Sequence, residues 1–230
     1  MAGDSQRFRD VGYDQPKYML PLAGRSVFAH AVGSFRSVFS THRFLFVVRE
    51  AGADFVANEC RRLGVADVSI HVLDQPTAGQ AETVELAVKE MAATTPLTIF
   101  NIDTFRAGFS FPPAWFETAD GWLEVFRGEG ANWSYVRPAP GEAPLALETA
   151  EKRPISDLCC TGLYHFARAG DFLTALEAER RSPQAAELYV APLYNRLIAR
   201  GGRIAYRLIE RGEVVFCGTP QEYHALLKPV

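Results

Sequence analysis

Short apolar runs alternate with longer stretches of helical period along the first half of the chain. Ser26 can cap a helix, and VFAHAVGSFRSVF behind it puts Val27, Phe28, Ala31, Phe35 and Val38 on one face, which predicts a helix there. A strand follows at Phe44 to Val48, then a helix from Asp54 to Leu63 closed by Gly64, and a strand at Val68 to Val72. Beyond the loop LDQPTAGQ, AETVELAVKEM predicts a third helix. LTIFNI, short, apolar and preceded by Thr95-Pro96, predicts a buried strand that ends at Asp103.

From Gly121 the pattern changes to strand-like pieces, WLEVF, WSYVR, LALE and GLYHF, separated by Gly- and Pro-containing turns. Helical period returns at Asp171 to Arg180 and from Glu187 to Ala199. Strands are predicted at Arg203 to Ile209 and Val214 to Phe216, with a last helix after Thr219. The alternation is that of an α/β protein, a mostly parallel mixed sheet flanked by helices with a β-rich lobe in its second half. One domain is expected, its first half at 1–110 and its second at 111–230. A doubly wound sheet normally opens with a strand that delivers the first functional loop, and here that loop stands at residue 1. Either the strand lies upstream of Met1 or another segment takes the centre of the sheet.

Composition narrows the function classes. Among 230 residues, 24 basic side chains against 27 acidic ones give a net charge of −3, so no field holds a polyanion and nucleic acid is not an expected partner. A nucleotide-sized anion needs only a few clustered cations in a loop. No apolar run reaches membrane-span length, the N-terminus MAGDSQRFRD has charge where a signal peptide needs an apolar stretch, and the 4 cysteines form no CxxC pair. These features predict a cytoplasmic protein with reduced thiols and no membrane partner, and they are compatible with a homo-oligomer. The 5 histidines show no metal-ligand spacing, and no serine sits in GxSxG.

Ligands of open α/β sheets bind at the carboxyl ends of strands, so the loops there carry the candidate chemistry. In MAGDSQRFRDVGYDQPK, Gly3, Asp4, Ser5 and Gln6 form a turn-prone loop whose amides, with Arg7, can meet phosphate oxygens, and Lys17 stands beyond it as a point charge. A solvated basic N-terminus is the plain alternative. In LDQPTAGQ, Gln75 and Gln80 can read a base edge, Gly79 leaves its face clear, and Thr77 lies between them; the alternative is an ordinary helix-capping loop. Asp103 is a carboxylate directly after a buried strand, suited to a magnesium ion shared with phosphate oxygens or, more simply, to a turn. EKRPISDLCCTGLYHF supplies Glu151, Lys152 and Gly162.

These segments together resemble the sugar-phosphate nucleotidyltransferases, the nucleoside-diphosphate-sugar pyrophosphorylase family, nearly end to end. The first matches M-A-G-x-G-x-R-F followed by P-K, with Gly3, Arg7, Phe8, Pro16 and Lys17 in register and Ser5 at the middle glycine. The second matches Q-P-x-x-x-G-x-A, Asp103 stands at the family's G-D, and Glu151-Lys152 followed by T-G-L-Y matches its E-K-P stretch, with Arg153 interrupting. The resemblance implies a GT-A-like nucleotide-diphospho-sugar transferase fold and the short, capsule-biosynthesis type of member. It implies a transferase that couples a nucleoside triphosphate, CTP or dTTP/UTP, to a sugar 1-phosphate or similar phosphorylated small molecule, releasing pyrophosphate for cell-surface polysaccharide synthesis.

Arg7 and Lys17 inherit triphosphate contact and transition-state stabilisation, and Asp103 inherits Mg2+. Gly3, Asp4, Ser5, Gln6, Gln75, Thr77, Gly79 and Gln80 inherit the nucleotide. Glu151 inherits acceptor hydroxyls, Lys152 the acceptor phosphate, and Gly162 room for the acceptor. One departure stands near the C-terminus, where many members carry D-x-G-T and this chain reads F-C-G-T, so Phe216 replaces a second metal carboxylate. Rival readings are a glycosyltransferase of the same broad fold, for which N-I-D is a poor D-x-D, and a non-catalytic nucleotide-sugar-binding regulator.

Overall fold

Parallel strands need a long crossover between them, and the first half of the chain supplies one. Strand Arg43–Arg49 runs parallel to Asp67–Leu73, with Arg43 opposite Asp67 and Arg49 opposite Leu73, joined through helix Ala53–Leu63. That helix ends on Gly64 at φ 79, a left-handed cap that glycine adopts without steric cost, and the Gly64 N–H returns to the Cys60 and Arg61 carbonyls.

The computed structural model describes residues 5–228, with the main chain alone at position 115. The chain divides into two compact units interleaved in sequence. The first takes in Met1–Pro76, Asn101–Ser110 and Gly212–Val230, the second Thr77–Phe100 and Phe111–Arg211.

In the first unit, helix Val27–Gly33 begins where expected, the Ser26 Oγ accepting the Ala29 N–H at 3.0 Å. It stops at Gly33 and resumes as a 3-10 turn over Arg36–Val38, so the predicted continuous helix is broken. Gly and Ser are weak helix formers, and the Ser34 Oγ accepts the Arg106 N–H at 2.8 Å instead. Strand Thr104–Phe105 pairs antiparallel with Val215–Phe216. Thr219 then caps helix Pro220–Leu227 through a reciprocal capping box with Glu222. A core of Phe8, Leu20, Leu22, Val27, Cys217 and Tyr223 ties the N-terminal segment to that last helix.

The second unit is built on a six-stranded mixed sheet. Ile204–Ile209 runs parallel to Gly121–Arg127, and Leu158–Phe166 takes the centre, antiparallel to Gly121–Arg127, to Leu97–Phe100 and, at Cys159, to Ser134–Pro138. Ala146–Glu151 completes the sheet antiparallel to Ser134–Pro138. Antiparallel pairing prevails here because the strand-like pieces of the second half succeed one another without helical crossovers. The Leu158–Phe166 register slips between Cys160 and Tyr164, and Gly162 in that gap has φ 94, the conformation of a bulge residue.

Helices Gln80–Val88, Ala169–Arg181 and Leu193–Ile198 complete the unit, and the Phe166 and Tyr194 rings stack at 4.6 Å. The last of these helices is shorter than the predicted Glu187 to Ala199. Pro192 occupies its N-cap, and the residue preceding a proline is disfavoured in helical conformation, which favours a helix start there over one at Glu187. All four cysteines are unpaired and buried. Among the described residues no helix is long and apolar enough to cross a membrane.

Candidate active site

The Arg7-Phe8 pair divides its work by burial. Phe8 is 1% exposed and packs edge-on against Tyr13 and Tyr223 at 5.8 and 6.1 Å, which anchors the short helix Gln6–Arg9 and leaves Arg7 exposed. Gln6 is exposed and bonded to the Asp10 carboxylate at 2.7 Å. Gly3 and Asp4 lie outside the described residues. Ser5 has φ 52 and ψ 33, a left-handed conformation that costs a non-glycine residue about 1 kcal/mol. That geometry explains a glycine preference at this position; the serine in turn offers its Oγ to the Lys17 N–H at 3.2 Å.

Lys17 opens the 3-10 turn Lys17–Met19 behind Pro16, and its ammonium donates to the Asp103 carboxylate. The two side chains are 25% and 19% exposed, sheltered enough to strengthen the pair and open enough for a ligand to reach it. The Asp103 main chain is fixed by the Cys217 N–H at 2.8 Å, and a Cβ on Gly218 would lie 3.0 Å from Asp103 Oδ2, so glycine there keeps the carboxylate uncrowded. Burial, with Asp103 and Glu222 as lesser causes, pushes the Cys217 thiol up to about 12, so it stays a neutral packing group.

Glu222 is the nearby carboxylate that could complement Asp103, but its Oε2 accepts the N–H groups of both Gly218 and Thr219 at 2.9 Å. Among the described residues no group of three or more His, Cys, Asp or Glu is placed to hold a metal. The donor set therefore fits a hard cation that takes one protein carboxylate and draws its other ligands from phosphate and water.

In the second unit the loop before helix Gln80–Val88 is built around Gly79, at φ 151 and ψ −179, a region open essentially to glycine alone. The Leu188 N–H donates to the Ala78 carbonyl at 3.0 Å and the Ala81 N–H to the Leu188 carbonyl at 2.8 Å, a two-bond clamp on either side of Gly79. Thr77 bonds Thr83 at 2.6 Å, and the Ala78 N–H reaches Glu82 at 2.6 Å. Gln80 is half-buried, whereas Gln75, in the first unit, is exposed.

Glu151 ends the Ala146–Glu151 strand and Lys152 follows it. Glu151 accepts from the Ser134 hydroxyl, and its carboxyl is held above the usual carboxylate range by burial, which outweighs that hydrogen bond and the charge of Lys152. Lys152 turns left-handed at φ 53, its N–H bonded to the Trp133 carbonyl at 2.9 Å, while its ammonium donates to the Tyr189 phenol at 2.5 Å. The Lys152 amine is held above its ordinary value chiefly by that hydrogen bond. Arg153, which interrupts the E-K-P pattern, is bonded to Glu148 at 2.6 Å. Gly162 has a structural reason of its own in the strand bulge.

The structure brings the candidates Lys17 and Asp103 together and sets Glu151 beside Lys152, and it adds Ser134, Leu188 and Tyr189, which the sequence did not single out, as their neighbours or those of the Gly79 loop. Pro192 was the available signal, because proline disfavours helical conformation at the residue before it and so marks a boundary between Leu193–Ile198 and the Leu188-Tyr189 segment.

No protein-family model matches the chain, and no curated protein matches it. Among solved structures it is similar to the nucleoside-diphosphate-sugar pyrophosphorylase from Vibrio cholerae RC9, at 46% identity over 99% of this chain and 98% of that one, with a TM-score of 0.94. The inositol-1-phosphate CTP transferase from T. maritima shares the fold at 14% identity, covering 98% and 91% with a TM-score of 0.73. The UDP-glucose pyrophosphorylase from Acinetobacter baumannii does so at 16%, covering 98% and 89% with a TM-score of 0.71. With a relative this similar spanning both chains, the chain belongs to the nucleoside-diphosphate-sugar pyrophosphorylase family of nucleotidyltransferases.

Proposed function

We propose that this nucleotidyltransferase joins a nucleoside triphosphate, CTP or dTTP/UTP, to a sugar 1-phosphate or a closely similar phosphate monoester and releases pyrophosphate. The observation that carries the assignment of roles is the Lys17–Asp103 pair, a cation and a carboxylate held together beside the turn of Ser5. In this transfer an acceptor phosphate oxygen bonds to the α-phosphorus as the bond to the leaving pyrophosphate breaks. The attacking oxygen is already anionic, so the reaction needs positioning and charge neutralisation and no general base.

Arg7 and Lys17 neutralise the triphosphate, Lys17 at the α-phosphate. Ser5 and Gln6 line its loop; Gln75, Thr77, Gly79 and Gln80 take the nucleoside. Glu151 accepts from acceptor hydroxyls and Lys152 holds the acceptor phosphate. Asp103 is the residue that would hold magnesium, which when bound supplies charge neutralisation on the phosphates.

A matrix of the common triphosphates against sugar 1-phosphates and other phosphorylated acceptors, read by pyrophosphate release, tests this. Release with one matched pair is the expected result. Silence across the matrix together with tight triphosphate binding would sink the proposal in favour of a nucleotide-sugar-binding regulator, the reading that Phe216 in place of a second carboxylate otherwise favours.

A further inference from the structure

On the reading that Lys152 is the cation for the acceptor phosphate, we propose that Tyr189 is its positioning residue. The Tyr189 phenol holds the ammonium in place for the acceptor and links it to the nucleoside loop through Leu188.

A lysine carries its charge on four rotatable bonds, and an exposed one samples many rotamers. This one is restrained at both ends. Its main chain is held by the Trp133 carbonyl in a left-handed turn, and its ammonium meets the Tyr189 Oη at 2.5 Å and lies 4.7 Å from the centre of the ring. The phenol is itself oriented, because it donates to Glu187 Oε1 at 2.8 Å while accepting from Lys152. Its main chain continues directly from Leu188, whose N–H and carbonyl are both engaged by Ala78 and Ala81.

Leu188 therefore fixes the Gly79 loop through its backbone while the next residue fixes Lys152 through its side chain. An ammonium has three donors, so one bond to a phenol leaves it able to bind an anion. Its restraint before the acceptor arrives spares the ordering that a free lysine would undergo on binding.

Tyr189→Phe keeps the ring over the ammonium and removes only the hydroxyl. With the full chain, and with dTTP and glucose 1-phosphate or the best pair from the matrix, the acceptor KM is expected to rise about tenfold, with kcat, the triphosphate KM and the melting temperature close to wild type. In a Lys152→Ala background the same substitution should add nothing. An unchanged acceptor KM in Tyr189→Phe, with Lys152→Ala impaired, overturns the positioning role and leaves the acceptor role of Lys152 standing. If neither variant moves that KM, both roles fall. An equal rise in the triphosphate KM, or a clear loss of melting temperature, makes Tyr189 a structural residue and also overturns the positioning role.

Discussion

The Lys17 ammonium donates to Oδ2 of Asp103 across 86 positions of sequence, so each charge has an opposite partner beside it. If these groups take the α-phosphate and the metal, removing either leaves charge uncompensated where the transition state develops it. Lys17→Ala and Asp103→Ala are each expected to lower turnover by about 10²–10³-fold, the scale of removing one electrostatic group from a polar site. Both side chains are partly exposed, so far-UV circular dichroism should be unchanged. Wild-type pyrophosphate release from either variant would remove the pair from the chemistry.

Gly79 gives a sharper stability test. A Cβ there would lie 2.5 Å from the Leu188 carbonyl oxygen and 2.7 Å from its nitrogen, and neither main-chain atom can swing aside as a long side chain would. The φ of 151 adds strain for any residue but glycine. Gly79→Ala should cost about 3 kcal/mol, combining overpacking with a strained backbone, and, if this loop takes the nucleoside, raise the triphosphate KM because the clamp must open. Urea denaturation measures the first and steady-state kinetics the second; a midpoint equal to wild type would show that the loop repacks freely.

Much of the fold was legible in the chain because the signals were local. Ser26, Gly64 and Thr219 mark helix boundaries by capping chemistry, and caps stand at all three. Asp103 and Lys17 could each be found as polar residues at element ends. Their pairing could not, since nothing at position 17 encodes contact with position 103. Tyr189 was hidden for a different reason: helical period around it outweighed Pro192, and a role that depends on meeting Lys152 leaves no trace in spacing. Ser5 shows the reverse. Its departure from the resembled motif's glycine was visible, but the left-handed φ, which glycine would adopt without steric cost, was not.

Ser134 gives a pH-dependent test of Glu151. Burial raises the Glu151 carboxyl, and the Ser134 hydroxyl opposes that shift by donating to the charged form. Ser134→Ala removes the opposition, so the carboxyl should protonate at higher pH still. If the Glu151 carboxylate accepts from acceptor hydroxyls, the acid limb of kcat/KM for the acceptor should move upward in pH in this variant, with the alkaline limb in place. Superimposable profiles would mean that the charge on Glu151 is not used.

His165 makes the last prediction, on stability. Burial lowers its imidazole from 6.5 to about 4, while the ring stacks on Trp122 at 5.2 Å and its Nδ1 meets Thr98 Oγ1 at 2.9 Å. Between those two values the unfolded chain takes up the proton and the folded chain resists it. The contribution of neutral His165 is therefore full above 6.5, falls as the pH drops through the window, and levels off below about 4. Allowing for its partial exposure, the loss is about 2 kcal/mol. His165→Gln keeps a polar group for Thr98 but cannot titrate, so its urea midpoint should fall less steeply than wild type from about pH 7.5 to about pH 4.5, even if it starts lower for want of the stacked ring. Parallel slopes in the two proteins would assign the acid sensitivity to other groups and show that His165 titrates alike folded and unfolded.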